Sequence, residues 1–247
     1  MAKPQDATTL DSYKAELNPD NTASLIQAAR LSARDLLDTG EILFTLKRFP
    51  HSMLFSTLAI EESSKQVILL SILCAPNERQ RFAAWKSYRN HMAKTQGSNK
   101  AIESQIRVNF PKLSREQASK IGSSGPTPKQ LERNKQLSVY SDGLDNLGEC
   151  ACHYPAASDW RELAWERLCE AQSLVHSLRD RTPKELRIFQ KHFKQRSDTD
   201  NPHVVLTKLK DELLENGCIQ EGWWDTILQD VQYELDQSGP MQSESES

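Results

Sequence analysis

The sequence predicts an all-α protein: an antiparallel helical bundle with a small C-terminal helical module. Three observations carry that reading. Apolar residues recur at three- and four-residue spacing, no stretch alternates with the period of two that a strand needs, and capping or helix-breaking residues stand at the ends of the periodic segments.

Asp20, Asn21 and Thr22 offer N-caps for a first helix over 23–37, with Leu25, Ala29, Ser32, Ala33 and Leu36 on one face and Gly40 ending or loosening it. Arg48, Phe49 and Pro50 make the turn into a second, antiparallel helix, whose first positions suit the proline. Its segment 53–72 reads MLFSTLAIEESSKQVILLSI and is apolar on almost every side, which marks a helix buried within a bundle. Pro76 closes it. Asn77 caps a third helix expected to reach Lys94, with Phe82, Trp85, Tyr88, Arg89 and Met92 on one face and His91 and Lys94 on the other.

The glycine, serine and proline run at 122–128 is a loop, and a further helical piece covers 129–140. Ser158 and Asp159 cap a strong helix in which Trp160, Ala164, Leu168, Ala171, Leu174 and Val175 recur at helical spacing. Thr182, Pro183 and Glu185 open another helix to about Phe193 with a capping box and an early proline. Beyond the polar stretch 196–202 come two short amphipathic helices, 204–216 stopped by Gly217, and 223–235. The chain therefore divides into a polar N-terminal segment (1–22), a helical bundle (23–195), a small C-terminal module (203–237) and a tail (238–247) expected to be disordered.

At 247 residues the chain can bury a sizeable core. A formal net charge of −3 supplies no global attraction to nucleic acid, so any such contact must come from a local basic patch. Five scattered cysteines and a polar start without an apolar leader point to a reducing cytoplasm. No run reaches the roughly 20 apolar residues of a membrane span, because three charges interrupt 53–72. Cys150, Cys152 and His153 lack the spacing of a zinc site, and neither a metal nor another cofactor is expected.

Those three charges, Glu61, Glu62 and Lys65, are the most informative feature. At about 100° per residue, Glu61 and Lys65 share a helical stripe with Leu54, Leu58, Ile68 and Leu69. An ion so placed costs several kcal/mol unless it is paired or borders a wet cleft, so the sequence predicts a buried Glu61–Lys65 pair, or a pairing with His91 and Lys94 of the third helix. A structural ion pair and a polar pocket in a bundle both satisfy that requirement.

Four blocks together resemble the AbiV family of bacterial abortive-infection proteins, a branch of the HEPN superfamily of helical bundles: LLDTGEILFTLKRF, AIEESSKQ, WKSYRNHMAK, and KQLSVYSDG followed by HYP. Matched to the family pattern, Glu61, Glu62 and Lys65 stand in its Glu-Glu-x-x-Lys, His91 and Lys94 in its His-x-x-Lys, and Tyr140 and Asp142 in its Tyr-x-Asp. The resemblance covers residues 25–178 and implies a HEPN-like bundle that stops phage propagation by acting on RNA or translation. A phage protein as trigger and a homodimer as working unit are implied with it.

Many HEPN proteins are metal-independent ribonucleases with an Arg followed after four to six residues by a His. Arg89 and His91 lie closer than that; Arg187 with His192, and Arg196 with His203, have the spacing. The expected site therefore joins Arg89, His91 and Lys94 on phosphate with Glu61, Glu62 and Lys65 orienting them, and Tyr140, Asp142, Arg187 and His192 as secondary candidates. The competing reading is a non-catalytic helical binder that blocks a host translation component or is switched by a phage protein, for which adjacent Trp223 and Trp224 would suit a protein contact.

Overall fold

The computed structural model describes residues 16–90, 157–196, 200–220, 224 and 228. Among them are six helices and no strand: α1 (Pro19–Thr45), α2 (Phe49–Leu73), α3 (Glu78–Arg89), α4 (Ala157–Ser177), α5 (Pro183–Lys194) and α6 (Pro202–Glu215).

α1 begins earlier and ends later than the sequence predicts. Asn18 is its N-cap, accepting a hydrogen bond from the Asn21 backbone N–H at 2.8 Å, and Pro19 takes the first helical position, which leaves Asp20 in the first turn beside the positive end of the helix dipole. Gly40 does not end the helix. It lies buried where α1 presses on α2, and a Cβ there would stand 3.0 Å from Ser56 Oγ. Ser52 Oγ donates across the same contact to the Gly40 carbonyl at 2.8 Å. The glycine is thus a point of close backbone approach. The helix stops instead at Lys47 (φ 59°), whose N–H bonds to the Phe44 carbonyl while that of Arg48 bonds to Leu43, the paired closure of a Schellman motif without its usual glycine.

α2 is the hub, touching α1, α3 and α4. Pro50 lies in its first turn as expected, and its buried residues fall on nearly all sides, including Met53, Ala59, Ile60, Leu69, Ile72 and Leu73. Met53 packs with Trp160 and Ala164, Ile60 with Leu168 and Ala171, and Gln66 Nε2 donates to the Arg179 carbonyl beyond the end of α4 at 3.5 Å. α4 therefore runs parallel to α2, and both run antiparallel to α1. Ser158 and Asp159 sit inside α4, which already includes Ala157, so they are not its caps.

α3 starts at the expected Asn77 cap but ends at Arg89, five residues short of Lys94. Asn90 leaves the helix for an extended conformation, its N–H bonded back to the Ser87 carbonyl at 3.1 Å. Asparagine ranks low in helix propensity, so the last turn has little to carry it further.

α5 opens as predicted: the Thr182 hydroxyl accepts from the Glu185 N–H, with Pro183 first in the helix. The Glu185 carboxylate is turned inward rather than back to the cap, and binds Arg179 (2.6 and 3.0 Å) and Arg181. α6 ends at Gly217 (φ 66°), where Cys218 N–H reaches the Leu213 carbonyl. Leu209 and Leu213 of α6 and Trp224 pack on Ile188 and Phe189 of α5, and Cys74 at the end of α2 borders the same cluster. α6 is therefore docked on α5.

Candidate functional site

The charges of α2 separate. Glu61 is 3% exposed and faces the interior, whereas Glu62 and Lys65 sit half-buried at the edge facing α3. Lys65 Nζ lies 2.5 Å from Glu62 Oε1 and 5.5 Å above the Tyr88 ring centroid. The expected Glu61–Lys65 pair is thus replaced by a Glu62–Lys65 pair. At the edge both groups keep part of their hydration, a smaller penalty than two ions fully withdrawn from water, and the Tyr88 face adds a cation–π contact.

Around that pair, Tyr88 stands edge-on to buried Trp85 at 5.5 Å, and Arg89 follows as the last helical residue. α2 and α3 together therefore bring Glu62, Lys65 and Tyr88 to one edge, with Arg89 next in the chain. His91, Lys94, Tyr140 and Asp142 lie outside the described residues, as do Cys150, Cys152 and His153.

The secondary pair does not form one site. Positions five apart on a helix point about 140° away from each other. Arg187 reaches Asp20 of α1 at 3.3 Å, while His192 Nε2 lies 2.8 Å from Glu212 of α6. Lys191 shares that carboxylate, and hydrogen bonds from Lys191 first and His192 second hold the Glu212 carboxyl below its ordinary range.

Sequence reading passed over Arg167. It falls at the centre of the buried face of α4, three after Ala164 and four before Ala171, and is 3% exposed. Its Nη1 contacts Glu170, but Nε and Nη2 have no hydrogen-bond partner among the described residues. The signal was available, since a charge in a run of core positions is what singled out Glu61. Buried donors left open cost about 1–3 kcal/mol each. Glu61 and Arg167 are the two buried ionisable side chains described within α1 to α4.

No three His, Cys, Asp or Glu side chains gather as a metal site among the described residues, and no described helix is long and apolar enough to cross a membrane. No curated protein and no solved structure matches the chain. A family model does: that of the HEPN-type AbiV domain, over residues 21–176, which spans α1 to α4 almost entirely. The chain thus belongs to the AbiV family, the abortive-infection, anti-phage branch of the HEPN domains.

Proposed function

We propose that this protein is an RNA-directed effector of abortive infection, working through the polar edge where α2 meets the end of α3. The observation that carries the reading is the Glu62–Lys65 pair, 2.5 Å apart and seated over Tyr88, on a helix otherwise buried on nearly every side. Arg89 borders it, and His91 and Lys94 follow directly in sequence.

In this reading Arg89 and Lys94 neutralise a bound phosphodiester, and the His91 imidazole takes the proton of the adjacent ribose 2′-hydroxyl. The 2′ oxygen attacks phosphorus, the bond from phosphorus to the 5′ oxygen breaks, that oxygen takes the proton back from the His91 imidazolium, and a 2′,3′-cyclic phosphate remains. Lys65, held by Glu62, orients the phosphate-binding groups from the side of α2. The working unit is a homodimer, and a phage protein is the trigger.

A non-catalytic block of the translation machinery is the second reading. Lys65 is already neutralised by Glu62, and Arg89 and His91 stand closer than the ribonuclease hallmark.

Phage plating on cells expressing His91→Ala, Arg89→Ala and the parent chain tests the role of the edge. Loss of protection at unchanged protein level and thermal midpoint supports it. Full protection by both variants refutes it.

A further inference from the structure

Two cavities, one beyond the span matched by the family and one bridging that span and α5, meet at one residue. The first, about 360 Å³, opens between α5 and α6 and is lined by Lys191, His192, Arg196, Asp200, Asn201 and Lys208, among others. The second, about 510 Å³, is an apolar groove between the end of α2 and α5, lined by Val67, Leu70, Cys74, Phe189 and Phe193. Arg196 lines both.

We propose that the paired cavities bind a free nucleotide, with its phosphate in the α5–α6 cleft and its base in the apolar groove. Charge favours this occupant. Lys191 and His192 converge on Glu212, at 2.7 and 2.8 Å, which fixes their positions on the wall. Arg196 and Lys208 have no ion-pair partner among the described residues, so two cations remain to meet an anion, with only Asp200 of opposite sign lining the cleft beside them. The α6 N-terminus opens at the same cleft, since Asn201 is its cap, and adds the positive end of a 14-residue helix.

The groove supplies what a phosphate alone would not need. Its wall is largely aromatic and aliphatic, with Ser71 and Gln80 among the residues lining it, and Val67 there is 54% exposed. A flat heterocycle gains stacking and burial there, while the ribose spans the Arg196 boundary. The inference is independent of the α2–α3 edge, because no residue of that edge lines either cavity.

The test is calorimetric titration of the full chain with adenosine 5′-monophosphate, inorganic phosphate and a single-stranded RNA oligonucleotide. The monophosphate should saturate below about 1 mM and bind at least about tenfold more tightly than inorganic phosphate, because only it fills the groove. Arg196→Ala combined with Lys208→Ala should weaken it by about tenfold or more at unchanged thermal midpoint, both side chains being exposed. No saturation by the monophosphate, equal affinity for inorganic phosphate, or indifference to the double substitution would overturn the proposal. So would an oligonucleotide that binds through Arg196 and Lys208 more tightly than the monophosphate, which would make the cleft an RNA contact.

Discussion

Gly40 and Ser56 face each other at a close approach of α1 and α2, and replacing both should stabilise the protein. A methyl at position 40 would lie 3.0 Å from Ser56 Oγ and 3.5 Å from the Ser52 carbonyl oxygen and the Ser56 nitrogen. The first distance is too short for carbon against oxygen, so Gly40→Ala alone sets a helix-propensity gain of about 1 kcal/mol against a local clash and should end within about 1 kcal/mol of the parent. Ser56 Oγ is fully buried and has no hydrogen-bond partner among the described residues. Removing it relieves part of a desolvation penalty of about 1–3 kcal/mol and leaves a small void. A methyl introduced at position 40 fills that void without the clash. Gly40→Ala with Ser56→Ala should therefore be about 1–2 kcal/mol more stable than the parent, and by more than the sum of the single effects. Urea unfolding midpoints at constant slope measure this. A double variant less stable than the parent, or Ser56→Ala losing more than about 1 kcal/mol, would show that the hydroxyl is supporting the interface rather than crowding it.

Lys47→Gly should raise stability by up to about 1 kcal/mol, since the left-handed backbone at φ 59° strains a residue with a Cβ; an unchanged denaturation midpoint would show the strain to be negligible. Glu185→Gln should lower the thermal midpoint by roughly 6–12 °C, because about 3 kcal/mol is lost when the 1%-exposed carboxylate no longer offsets Arg179 and Arg181; a fall under about 2 °C would refute the role given to the cluster. The Glu212 carboxyl is held below its ordinary range, so the stability it contributes is complete above that range and disappears as pH falls through and below about 4. Denaturation of the parent and Glu212→Gln at pH 3 to 6 should accordingly show a difference that narrows on acidification, and a difference independent of pH would contradict the linkage.

Local chemistry was legible where one segment contains the whole cause. Asn77, Thr182 with Pro183, and Gly217 act on backbone groups within a few residues, and each sits where the sequence places it. Gly40 was misread because a glycine late in a helix signals either a stop or a close approach, and the deciding partners, Ser52 and Ser56, belong to another helix. Likewise, spacing put Glu61 and Lys65 within reach of each other, but the packing of α3 decides which charges share an edge, and it gave Lys65 to Glu62 and Tyr88. Arg187 and His192 have hallmark spacing in sequence, yet α1 and α6 draw them apart. Arg167 shows the converse: its core position was readable, while its donors are open because the described helices beside it offer no acceptor.

The central claim is that the α2–α3 edge acts on RNA during infection, and mapping of RNA ends in phage-infected cells tests it most directly. Cells expressing the parent chain should accumulate new 2′,3′-cyclic phosphate ends that are absent with His91→Ala and strongly reduced with Arg89→Ala. Phage protection by the parent with no new RNA ends, or identical ends in the His91→Ala cells, would contradict it.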